Sequence, residues 1–312
     1  MGESNSKVSL AVVIPNYNHA AYLAEALDSV VSQSQQLETI LVIDDASTDQ
    51  SVDLIRRYVR EHSKVTLIQK NKNCGLFANI NEIIPQLETT HAMFLAADDY
   101  VLPGHFESVR AILSEYPQSG YCMANSINLF PDGRQRPFDY GLSTRPTYYP
   151  PSQVPRVARG IGITGQGFYN LEGLRKMGGF PESLAWHADH FVCWVLAARH
   201  GLCYIPEAGT AFRQSPSSIS GTGMHGPGQW RVYENFLRQL HRPEFADVKD
   251  KLSEAHVLRI FSDLVFRTLW KEEQLRAFLT PSFVTLVIWL QLRRVIRHPV
   301  PRLVKKWFRS KS

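Results

Sequence analysis

Three places in the sequence put acidic or amide side chains where a buried strand would end. Asp98 and Asp99 are adjacent and follow the apolar run Met93 to Ala97. Asp44 and Asp45 close a second run in Ile43-Asp44-Asp45-Ala46-Ser47-Thr48-Asp49. Asn16, Tyr17 and Asn18 follow a third. An ionised carboxylate at a strand end is costly unless water or a cation compensates it. Magnesium and manganese prefer oxygen ligands, commonly one or two carboxylates together with phosphate oxygens. A carboxylate also accepts from a base N–H or a ribose hydroxyl. The competing reading is structural, because Asp is common in turns and Asp, Ser and Thr cap helices. A cap accounts for one acid here, but not for the cluster.

Asp189 is a fourth candidate. It stands near the start of a helical pattern, Ala188 to His200. A helix N-terminus favours the ionised carboxylate, which is the form a general base needs. Ordinary first-turn helix charge is the alternative.

The elements that would position these residues alternate. Val8–Ile14, Thr39–Ile43, Val65–Ile68 and His91–Ala97 have the apolar, partly β-branched character of buried strands. Ala20–Ser32, Asp49–Arg60 and Leu76–Leu87 have helical spacing between them. This order predicts an α/β sandwich with a mainly parallel sheet covered by helices on both faces. Ligands of such sheets bind beyond the carboxyl ends of the strands. Residues 131–165 have a loop-like composition, Leu171–Met177 reads as helix, Cys203–Ile205 as a short strand, and the chain from Gln229 as largely helical.

Composition narrows the field. Apolar residues are 44% and charged residues 20% of 312, an ordinary globular balance. The net charge is +5, yet the nine Lys and Arg after residue 273 meet no Asp or Glu, so the first 273 residues are net negative. A nucleic-acid partner is therefore not expected. The four cysteines form no CxxC pair, which suits a reduced cytoplasmic setting and not a zinc site. The polar start of the chain is unlike a signal peptide. No apolar run reaches the roughly 18 residues that span a bilayer.

Taken together, six segments resemble the successive signatures of glycosyltransferase family 2. They are Val12-Val13-Ile14-Pro15-Asn16-Tyr17-Asn18, Val42 to Asp49, Asn73-Cys74-Gly75 with Asn81, Phe94 to Asp99, Gly178-Gly179-Phe180 with Ala188-Asp189, and Phe212-Arg213 with Ser218 and Ser220. The resemblance covers about residues 8–220. It implies a GT-A fold and inverting transfer of a sugar from a nucleoside-diphosphate sugar, with UDP the usual nucleotide and Mn2+ or Mg2+ the cofactor. By position it gives Pro15 and Tyr17 the nucleoside pocket, Asp45 the base, Asp98 the ribose and metal, Asp99 the metal, and Asp189 the role of general base. It also divides the chain into a catalytic domain, 1–228, and a helical extension, 229–312. Within the domain, 8–130 forms the nucleotide half and 131–228 the acceptor half.

The departures are specific. Ala96 and Ala188 replace acids frequent in the family, Ile80 stands where many members carry Arg, and Ser215 where relatives place His, with His225 a substitute from the following loop. Gly165-Gln166-Gly167 would let a sugar approach the backbone, or would simply turn. Trp186 would stack on an acceptor sugar or pack in the core, and His187 and His190 flank the base. Beyond Phe283–Leu292, basic residues interleave with Leu303, Val304, Trp307 and Phe308. That pattern suits a segment, 282–312, lying on an anionic membrane. It would hold the protein at the inner membrane face beside a glycan or lipid-linked acceptor. An alternative is an inactive glycan- or nucleotide-sugar-binding module. A nucleotidyltransferase is disfavoured because Pro15-Asn16-Tyr17-Asn18 is no glycine-rich phosphate loop. A dehydrogenase lacks its GxGxxG.

Overall fold

The computed structural model describes residues 7–163, 166–215, 228–255 and 257. The first apolar run forms β1 (Leu10–Asn16), and helix α1 (Ala20–Val31) returns the chain to β2 (Thr39–Asp44). Helix α2 (Ser51–Glu61), β3 (Val65–Gln69), α3 (Leu76–Ile83) and β4 (His91–Phe94) complete the alternation. Pro85 ends α3 early, in a 3-10 turn over Ile84–Gln86, because proline lacks the N–H that a helix interior needs. Then come β5 (Tyr100–Val101), α4 (His105–Glu115), β6 (Tyr121–Leu129), β7 (Gln135–Phe138), β8 (Thr147–Tyr149) and the single-turn α5 (Val154–Val157). Last are β9 (Phe168–Asn170), α6 (Leu171–Lys176), α7 (Ala188–His200), β10 (Leu202–Arg213), α8 (Gln229–His241) and α9 (Ala246–Glu254).

The ten strands among the described residues join one sheet, in the order β3-β2-β1-β4-β9-β6-β10-β5, with β7 on β6 and β8 on β10. The pairs β3-β2, β2-β1 and β1-β4 are parallel, as the alternation requires. Past β4 the sheet is mixed: β9 runs antiparallel to both β4 and β6, while β6 and β10 are parallel. Only residues 95–99 separate β4 from β5. That is too short for a parallel crossover, and β5 pairs antiparallel with β10 instead.

Side-chain alternation puts a core on each face. Leu10, Val12 and Ile14 pack with Leu23, Leu27, Ile55 and Phe106 of α1, α2 and α4. Ala11 and Val13 face the other core, with Ile80, Leu174, Trp194 and Phe236 of α3, α6, α7 and α8. Each fully buried Leu, Ile or Phe contributes roughly 1.5–3 kcal/mol.

Three expectations change. β4 stops at Phe94 rather than Ala97, so Asp98 and Asp99 sit in the turn before β5. The strand read as Cys203–Ile205 runs twelve residues, to Arg213. Residues 131–165 contain β7, β8 and α5 rather than loop alone. Gly165, Ser218, Ser220, His225 and the basic segment 282–312 lie outside the described residues. Among the described residues no helix is long and apolar enough to cross a membrane.

Candidate functional site

The carboxyl ends of β1 and β2 are tied together by the residues singled out above. Asn16 and Asp44 are register partners, and Asn16 donates to Asp44 at 2.8 Å. Asp44, fully buried, also accepts from the N–H of Ser47 at 2.9 Å. Asn18, at φ 58°, accepts from the N–H groups of Thr48 and Asp49. Asn tolerates this left-handed conformation better than most residues. Asp44 thus holds the edge in shape. Asp45 accepts from the backbone N–H groups of Cys74 and Gly75, each at 2.8 Å, one on each oxygen. That clamp draws the loop before α3 against the edge. Pro15 is partly buried beside it, and Tyr17 is 45% exposed, its ring open to stack on a flat ligand.

Asp99 is the buried member of the acid pair and Asp98 the more open one. One oxygen of Asp99 accepts from the backbone N–H of Arg213 at 2.7 Å, and the other from the side-chain amide of Gln166. Burial pushes the Asp99 carboxyl up to about 7. The Arg213 N–H pulls it down, the charge of Asp98 raises it again, and Gln166 lowers it. The Arg213 guanidinium turns the other way, onto Glu25 and over the Tyr22 ring at 4.9 Å. Among the described residues no group of three or more His, Cys, Asp or Glu could hold a metal unaided. Two adjacent carboxylates supply oxygen donors of the kind a divalent cation takes, with other ligands needed to complete its shell.

Burial raises the hydroxyl of Tyr169 in β9, and Asp189, in the first turn of α7, is close enough for its charge to raise it further. Gln166, just before β9, reaches Asp99, and Tyr169, within β9, meets α7. The Cys193 thiol donates to the Tyr169 hydroxyl at 3.4 Å, one helical turn after Asp189. Asp189 keeps some surface exposure, yet burial of its carboxyl raises it to about 6 against the opposing His190 N–H at 2.7 Å. The helix start was expected to favour the ionised form, and desolvation outweighs it. Burial holds His187 down at about 4 and His190 at about 3. Both imidazoles are neutral at pH 7 and bring no positive charge to Asp189.

The Gly178-Gly179-Phe180 turn is locked to α3. Asn81 donates to the Phe180 carbonyl and accepts from its N–H, both at 2.8 Å. Gly179, at φ 80°, leaves room for this, since a Cβ there would lie 2.4 Å from the Asn81 oxygen. Of the departures, Ala188 is fully buried and Ile80 nearly so. A charged side chain at either would have to enter the core. Gln166, expected near a sugar, donates its amide to Asp99. The Tyr169–Cys193 contact and the Arg213 N–H escaped sequence reading. Only the Phe212-Arg213 motif hinted at the latter.

Residues 11–157 match the model described as glycosyl transferase family 2. The chain is similar to the poly(ribitol-phosphate) beta-glucosyltransferase of Bacillus spizizenii, 33% identical over 97 residues, covering 30% of this chain and 15% of that protein. It is 29% identical over 136 residues to the minor teichoic acid biosynthesis protein GgaB of Bacillus subtilis, covering 43% of this chain and 15% of that one. The matches thus span only a small part of these relatives. Among solved structures, S. aureus TarS 1–349 in complex with UDP-GlcNAc has a TM-score of 0.65 at 18% identity, covering 90% of this chain and 82% of that one. The same fragment in complex with UDP has a TM-score of 0.62 at 19% identity, covering 84% and 72%. The likeness is one of fold, the GT-A type.

Proposed function

Residues 11–157 place this chain in glycosyl transferase family 2, and from that premise we propose that it moves a sugar from a UDP-sugar to an acceptor hydroxyl, with inversion. The observation that carries the reading is that the β9 segment touches both acidic centres. Gln166, just before β9, donates to Asp99, and Tyr169, within it, is close enough to Asp189 for that charge to raise its hydroxyl further. A glycosyl transfer by single displacement needs both. A base takes a proton from the nucleophile, and a site for the leaving diphosphate sits opposite.

Tyr17 and Pro15 flank the nucleoside, and Asp45 fixes the loop that closes on it. In the reaction, the Asp189 carboxylate accepts the proton of the acceptor hydroxyl. The acceptor oxygen bonds to the anomeric carbon while the bond from that carbon to the β-phosphate oxygen breaks, its electron pair leaving on UDP. Asp98 and Asp99 would hold Mn2+ or Mg2+, which supplies charge to the departing diphosphate. Trp186 and His187, just before the base, border the acceptor side. The names of the curated relatives, and the UDP and UDP-GlcNAc complexes of TarS, support a UDP-sugar donor and a cell-envelope polymer as acceptor. The segment 282–312 would keep the enzyme beside such an acceptor at an anionic membrane surface.

The test is UDP binding by calorimetry with MnCl2, with EDTA, and in Asp99→Ala. We expect affinity to fall at least about tenfold with the chelator or the substitution. Binding indifferent to both removes the metal from the site.

A further inference from the structure

The six residues before α7 form a 3-10 turn, Glu182–His187, interrupted at Ala185, whose φ is 44° and ψ −127°. Glycine adopts this conformation freely, whereas an alanine there is strained and must be held. The surrounding contacts show what holds it. Leu184, fully buried, anchors the turn, and its N–H donates to the Pro181 carbonyl at 3.0 Å. From the other side α8 lies along the turn. Asn235 donates its side-chain amide to the Ser183 carbonyl at 2.9 Å. Tyr233 of α8 places its ring 5.3 Å from that of His187, and Phe236 stands 6.2 Å from His190 and 5.3 Å from Phe191.

The residues after the strained one matter. Ala185 is followed by Trp186, partly exposed, then His187, and two residues later Asp189. A change in the backbone at Ala185 therefore rotates Trp186 and re-aims the first turn of α7. Strained backbone that the surroundings over-determine clusters at sites where position matters. Asn235 lies well beyond the family segment 11–157. The helical extension thus reaches the turn through a side chain.

We propose that Asn235 is a positioning residue: through the Ser183 carbonyl it holds the strained turn at Ala185, and the turn sets where Trp186 and Asp189 stand. The inference rests on Asp189 being the base, and its test is independent of turnover. Hydrogen exchange on the full chain should show the amides of 182–187 exchanging at least about tenfold faster in Asn235→Ala. Asn235→Gln, which keeps an amide donor, should recover most of the protection. Ala185→Gly should raise Tm by about 3 °C, because strain is relieved, while exchange of the same amides quickens.

A second readout separates positioning from a merely stabilising bond. The pH dependence of Tm, compared with an Asp189→Asn background, reports the Asp189 titration. Asn235→Ala should move that midpoint from about 6 toward the ordinary carboxylate value by about one unit, as the released turn admits water. A lost bond without positioning would lower Tm equally at every pH. Unchanged exchange in Asn235→Ala, a lowered Tm in Ala185→Gly, or an unmoved Asp189 midpoint each overturns the proposal. Should Asp189→Asn keep full turnover, the base reading fails, while the exchange and Tm results still decide whether Asn235 holds the turn.

Discussion

A carboxyl that burial pushes up to about 6, as at Asp189, binds its proton more tightly in the folded chain than in the unfolded one. The sign of the consequence follows. Folding gains from this group below about pH 4, where the proton is held in both states, and that gain is lost as pH rises through about 6. At neutral pH the ionised Asp189 costs stability, and it is this form that can take a proton from a hydroxyl. Asp189→Asn should therefore melt several degrees higher than the wild type at pH 7.5 and at nearly the same temperature at pH 4.5. Its turnover should fall about 10²–10⁴-fold, with UDP affinity unchanged. In the wild type, turnover should decline below an acid limb near pH 6. Differential scanning fluorimetry and a pH–rate profile check the two halves. A substitution that left turnover intact would remove Asp189 from the chemistry. Its position at a helix start was legible in the sequence, but the direction of its pKa was not. The helix dipole is a local effect, whereas burial depends on what packs over the turn, such as Tyr169 of β9, close enough to Asp189 for that charge to raise its hydroxyl further.

Elements at the nucleotide edge share their caps. One oxygen of Asp49 accepts from the N–H of Ala20, at the start of α1, and the other from the N–H of Ser51, at the start of α2, both at 3.0 Å. Burial works against its ionisation, but the Ser51 and backbone hydrogen bonds prevail and hold it below the ordinary carboxylate range. One exposed carboxylate thereby joins two helices and both loops that border Tyr17. A single cap is worth about 1 kcal/mol. Asp49→Ala should lower Tm by about 2–6 °C and raise the KM for a UDP-sugar more than it lowers kcat. Thermal melts and initial rates with UDP-GlcNAc would show it, and an unchanged Tm would deny the shared cap. Elements with regular apolar spacing, β1 to α3 and α7, were legible to within two or three residues for most of their ends. β10 was not, because Pro206, Glu207 and Gly209 interrupt its pattern while bulges keep it paired to β6. β7 and β8 were hidden too. The four residues of β7 are exposed, so no alternation marks them.

At the scale of the molecule, the two acidic centres must keep their relation across one continuous sheet, and a single amide bears on that. Asn81 belongs to α3, which packs on β1, and Phe180 belongs to the turn that leads to Asp189. The Phe180 ring packs against Phe77, Phe94 and Tyr169, all with centroids 5.4 Å away. The motif residues were visible in the sequence, but their pairing over 99 positions was not, since no local pattern encodes it. Asn81→Ala would leave the N–H and carbonyl of Phe180 without this partner, at a cost of about 1–3 kcal/mol. Gly179→Ala would place a Cβ 2.4 Å from the Asn81 oxygen at φ 80°. It would incur both the clash and the cost of an alanine in left-handed backbone. In the double variant the clash is absent, and the alanine adds only its backbone cost to the hydrogen bonds already lost with Asn81. The two substitutions together should then destabilise by less than the sum of their separate effects, with a coupling of about 0.5–3 kcal/mol. Urea unfolding of the four proteins measures it. Simple additivity would mean that Asn81 and Gly179 act separately, and that the turn before Asp189 is not fixed through α3.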